Sequence, residues 1–107
     1  MVNINGEYWT VYAVSQNHPA LMRADGSVTI GACDDNTKSI YIVEGLTNEY
    51  FKKVLCHELT HACMFSYNIQ MSLEQEELLA DLLATYGQEI VRMTNCIFGR
   101  LKQQKGM

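Results

Sequence analysis

Cys56-His57-Glu58-Leu59-Thr60-His61 contains the pattern H-E-x-x-H. On an α-helix, residues four apart lie one turn apart on the same face. His57 and His61 can therefore point at one small volume. Imidazole nitrogen is a good zinc ligand, and two such ligands make half of a tetrahedral site. Glu58, one step round the helix from His57, reaches the rim of that volume without being a ligand. A carboxylate there can take a proton from water that a metal has made acidic, with a pKa of roughly 7. The spacing predicts a helix with two metal ligands, His57 and His61, and a general base, Glu58. A helix whose histidines merely pack is the plainer alternative. It owes nothing to the apolar positions that flank the motif at helical spacing, Tyr50, Phe51, Val54 and Leu55 before it and Ala62 and Phe65 after it. Nor does it explain the acidic helix expected soon afterwards.

Composition sets the class around this helix. A chain of 107 residues with 48% hydrophobic and 19% charged residues is long enough for one domain with a modest core. Its net charge of −4 argues against nucleic acid, which usually demands a basic patch. No apolar run approaches the roughly 20 residues of a membrane helix. Met1 to Glu7 lacks the basic and apolar regions of a signal peptide, so the expectation is a cytoplasmic protein, of host or phage. Cys33, Cys56, Cys63 and Cys96 form no C-x-x-C pair and are expected as buried thiols. Cys56 and Cys63 share a face turned away from His57 and are read as core, not ligands.

Upstream of the motif, three strands are expected. Glu7 to Val14 is rich in β-branched and aromatic residues. Ser27 to Cys33 is the second strand and Ile40 to Val43 the third, joined as a hairpin across Asp34-Asp35-Asn36-Thr37. Between the first two, Pro19 can open a short helix. Thr47 or Asn48 caps the motif helix, which runs to about Phe65. Downstream, Ser72 and Gln75 form a capping box. The helix they open carries Leu78, Leu79, Leu82, Leu83, Tyr86 and Ile90 on a broad apolar face and can continue to Gly99, with Gly87 a weak point. The predicted fold is α+β: a small three-stranded sheet (residues 1–46) packed against the motif helix and a second long helix (47–99), then a flexible tail (100–107).

A catalytic zinc site needs a third protein ligand. His18 is the only other histidine, far upstream. The arrangement with a third histidine ten residues after the first, and a glycine between, is excluded, since Tyr67 and Met64 hold those positions. That leaves carboxylates on the second helix: Glu74, Glu76, Glu77 and Asp81. Glu77 and Asp81 are one turn apart, so one can bind metal while the other accepts a ligand histidine's free N–H. Glu76 is the main rival ligand, and an ordinary solvated acidic face is the plain alternative.

The run His57-Glu58-Leu59-Thr60-His61-Ala62, followed by Glu77 to Asp81, resembles the small gluzincin-type zinc metallopeptidases. In particular it looks like the compact zincin-like proteins of phages and bacterial mobile elements related to the ImmA/IrrE group. The likeness extends over about Thr29 to Ile90. It takes in the Gly31-Ala32-Cys33-Asp34 turn, the strand Ile40-Tyr41-Ile42 and the stretch Ala80-Asp81-Leu82-Leu83-Ala84. The resemblance implies a minimal zincin domain, zinc held by His57, His61 and Glu77, and hydrolysis of a protein or peptide substrate with Glu58 as base. Asp81 is then the neighbour that orients one histidine. A strand over Val28 to Ala32 is the expected guide for the peptide. Tyr67 and Tyr86 are candidate oxyanion donors, although packing is the plainer role for both. The rival function is a catalytically silent zinc-binding or protein-interaction module acting on a partner such as a repressor. An intact Glu58 favours the enzyme, because a structural site needs no base.

Overall fold

The computed structural model describes residues 1–104. In chain order it has β1 (Val2–Ile4), β2 (Glu7–Val14), a 3-10 turn (Pro19–Leu21), β3 (Gly31–Asp34), β4 (Ser39–Val43), α1 (Asn48–Ser66), α2 (Leu73–Leu82), a wide π-helical turn (Leu83–Gly87) and α3 (Gln88–Gln103). The expected α+β class holds. The sheet, however, has four strands in the order β1-β2-β4-β3, not three. The added strand comes from Asn5-Gly6, both at positive φ (50° and 84°), which closes a two-residue hairpin between β1 and β2. Asn and Gly tolerate that left-handed geometry, and such turns match the twist of paired strands.

The sheet is mixed. β2 pairs parallel to β4 (Thr10 opposite Ser39, Val14 opposite Val43), while β3 pairs antiparallel to β4 as the expected hairpin. β4 is therefore interior, and its Ile40 and Ile42 are fully buried. They pack with Trp9, Ile4, Val54 and Ala62 to form the core between sheet and α1. Trp9 also fixes the end of α1: its indole N–H donates to Ser66 Oγ at 2.7 Å, and its ring stacks on Phe65. Asn5 Nδ2 donates to the Ser66 carbonyl nearby.

The second strand starts later than Ser27. Residues 27–30 instead pair with the 3-10 turn region, through a Met22–Val28 bridge and the Thr29 N–H to the Leu21 carbonyl. Gly31 to Cys33, the end of the expected strand, does lie in a strand, β3 (Gly31–Asp34), so the turn that the family resemblance put there is absent. Thr47 caps α1 by accepting from the Tyr50 N–H, and the Ser72–Gln75 capping box opens α2 with both of its bonds made.

The second long helix departs most from expectation. Its first turns lie on α1, a wide π-helical turn at Leu83–Gly87 interrupts it, and α3 continues to Gln103, past Gly99. The apolar face from Leu78 to Ile97 is not core. Leu78, Leu82, Tyr86, Ile90 and Ile97 are about half exposed or more. Cys96, expected buried, is exposed, whereas Cys33, Cys56 and Cys63 are half-buried. Of the expected tail, residues 100–103 belong to α3, and residues 105–107 lie outside the described residues. No helix among the described residues is long and apolar enough to cross a membrane.

Candidate metal centre

α1 brings His57 and His61 together because they are one turn apart on the side facing α2. Their Nε2 atoms stand 3.2 Å from each other. α2 packs against that side and delivers Glu77, whose carboxylate lies 2.9 Å from His61 Nε2 and 3.4 Å from His57 Nε2. One ligand atom from each of the three residues fits within a 4.8 Å group.

The outward nitrogens are partnered as well. His57 Nδ1 is 2.9 Å from Asp81 Oδ1, and His61 Nδ1 is 3.4 Å from Glu76 Oε2. With the proton on Nδ1, beside its carboxylate, each Nε2 would present its lone pair. Two such lone pairs and the Glu77 carboxylate then face one another. Only a proton or a cation relieves that arrangement. Two nitrogens bound tetrahedrally to zinc at about 2.0–2.1 Å each would stand roughly 3.3 Å apart. The observed spacing of 3.2 Å fits, and so does the donor set.

Glu58, the next residue round α1 from His57, packs against β3 at Gly31, and only 6% of it is exposed. Burial pushes its carboxyl up from 4.5 to about 7; His57 opposes this rise and the Glu77 charge adds to it. Gly31 makes the fit with β3. A methyl group on its Cα would lie 2.8 Å from a Val54 methyl carbon and 3.2 Å from Glu58 Cγ. Only glycine lets the strand approach α1 this closely.

These groups line one open cleft of about 730 Å³, with His57, Glu58, His61, Glu77 and Asp81 on one wall and Thr29 to Gly31 on another. No family model, no curated protein and no solved structure matches the chain.

Of the remaining expected residues, His18 stays apart. Its Nδ1 accepts from the Ala20 N–H, capping the 3-10 turn, and its ring stacks on Tyr41. Glu74 is exposed on the first turn of α2 and makes no contact with either histidine. Glu76 contacts His61 on the nitrogen opposite Glu77, a role the sequence reading did not assign it. Tyr67 and Tyr86 do not line the cleft; Tyr50 and Arg23 do, and neither was singled out from sequence. Tyr50 had a signal available, lying two turns before His57 on α1. Arg23 had none, because only the chain's path after the 3-10 turn brings it there.

Proposed function

We propose that this chain is a zinc-dependent metallopeptidase-like hydrolase of peptide bonds. The observation that carries the reading is the convergence of two histidine Nε2 atoms and the Glu77 carboxylate, each histidine backed by its own acid, beside a buried Glu58. His57, His61 and Glu77 would hold the metal. When bound, zinc supplies Lewis acidity, polarising a carbonyl and making water acidic near neutral pH.

The protein's own groups do the rest. Glu58 takes a proton from the attacking water and passes it to the leaving amine. A carboxyl with a pKa near 7 is well placed for both directions of that transfer. Asp81 and Glu76 hold the two imidazoles in one tautomer and one orientation. β3 is an edge strand, and its Gly31 lines the cleft, so an extended peptide can add to it by backbone hydrogen bonds. Tyr50 and Arg23 lie where they can meet the substrate's carbonyl or an acidic side chain. A silent zinc-binding or docking module would have no use for a carboxylate kept out of water beside the ligands, so the buried Glu58 favours the enzyme.

The test is the metal content of protein purified without added metal or chelator. The expected value is about one zinc per chain. A content near zero that stays there after zinc is supplied would remove the site and the reading together.

A further inference from the structure

α3 leaves the body of the molecule, and its substantial contacts are with the wide turn before it. The molecule is correspondingly long, 58 × 31 × 27 Å. Yet α3 is strongly two-sided. Ile90, Met93, Ile97 and Leu101 run along one face, widened by Val91 and Phe98, and all are 41–59% exposed. Tyr86 and Leu83 extend the face back into the wide turn, and Leu83 also lines an apolar groove with Leu55, Leu59 and Cys63 of α1. A helix of this length standing alone is marginal in water. Its stability calls for something that covers this face.

We propose that a second copy of this chain covers it, with the two α3 helices packed antiparallel about a two-fold axis. Tyr86, Ile90, Met93 and Ile97 follow the alternating four-three spacing that packs helix on helix. The charges set the direction. Glu89 and Arg100 lie about three turns apart on the same edge of the apolar face. Antiparallel pairing brings Glu89 of each copy beside Arg100 of the other, twice per dimer. Parallel pairing brings that edge against Thr94 and Leu101 instead and leaves both charges unmatched. Within its own helix Glu89 reaches only Arg92, at 4.0 Å in an exposed pair worth little. The area suffices: a standard interface takes roughly 800 Å² per partner. Eight half-exposed large side chains at on the order of 100 Å² each supply it. A lipid surface is the rival occupant, since the polar face also carries Arg92, Arg100 and Lys102; the Glu89–Arg100 match across an antiparallel pair is what favours a second copy.

Sedimentation equilibrium of the full chain tests this. The expected mass is twice 12.2 kDa. Ile97→Glu should weaken association by on the order of 100-fold, because the change falls twice in one interface. Ile97→Leu should not. Glu89→Arg and Arg100→Glu should each weaken it roughly tenfold, and the double exchange should restore it. Diamide oxidation should join Cys96 to Cys96, which shares that edge and sits between the two charges, and the link should disappear in Ile97→Glu. Helix content measured by circular dichroism checks that each variant is folded. A monomer at every concentration overturns the proposal, as does a dimer indifferent to Ile97→Glu. A monomer that binds vesicles of phosphatidylcholine and phosphatidylglycerol through α3 overturns it in favour of a lipid surface. None of these outcomes touches the metal centre, so the two readings stand or fall separately.

Discussion

Glu58 is held where a carboxylate is costly: out of water, with Gly31 and Val54 against it and Glu77 nearby. Glu58→Gln should keep the metal, since the amide has nearly the same shape, and should lower turnover on any peptide substrate by roughly 10²–10⁴-fold. Turnover and zinc measured on the same preparation check it; loss of zinc would instead make Glu58 a ligand. The raised carboxyl also has a stability consequence in metal-free protein. Between 4.5 and about 7 the folded state binds more protons at Glu58 than the unfolded chain does. The associated stability is fully present below 4.5 and is lost as pH rises through about 7. Urea midpoints of chelator-treated protein should fall across that window, and the fall should be shallower in Glu58→Gln. Gly31→Ala drives a methyl group into Val54 and Glu58, and such overpacking costs about 1–3 kcal/mol. Its urea midpoint should drop accordingly, and its turnover should fall with Glu58 displaced.

At the scale of elements, the site is a contact between two helices. α1 contributes both histidines and Glu58, while among the described residues α2 contributes every acid paired with those histidines. The α2 acids therefore form a graded series. Glu77→Ala should remove most zinc affinity. Asp81→Ala and Glu76→Ala should each weaken zinc by roughly 10–100-fold, the usual effect of losing a ligand's hydrogen-bond partner. Glu74→Ala, exposed on the first turn, should change nothing. Titration against a chromophoric chelator ranks the four. From sequence, Glu76 and Glu77 were rivals for one role. In the structure they take two, because adjacent residues on a helix point about 100° apart and so meet opposite nitrogens of His61. The wide turn at Leu83–Gly87 begins two residues after Asp81, the last of these acids. Such turns often occur beside functional sites.

For the whole molecule, zinc would tie α1 to α2 through His57, His61 and Glu77. Zinc at about 1,000 times its dissociation constant should stabilise the fold by about 4 kcal/mol. A thermal scan with and without chelator should show the shift, and Glu77→Ala should lose it. Much of this was legible in the chain. H-E-x-x-H placed His57 and His61 on one helix face with Glu58 beside them, since helical spacing is a local property. Thr47, Ser72 with Gln75, and Pro19 marked element starts for the same reason: their hydrogen bonds close within a few residues. Asn5-Gly6 is an equally local hairpin signal, and it closes the turn that adds the fourth strand. Other features depend on how distant segments meet. The parallel register of β2 on β4, the closeness of Gly31 to Glu58 and the arrival of Arg23 in the cleft join residues far apart in the chain. The apolar face of α2 and α3 shows the limit most clearly. Its periodicity said that it must be covered, but periodicity carries no information about what covers it. Only the packed structure showed that this chain's own sheet and α1 leave most of that face bare, because α3 runs on beyond their reach.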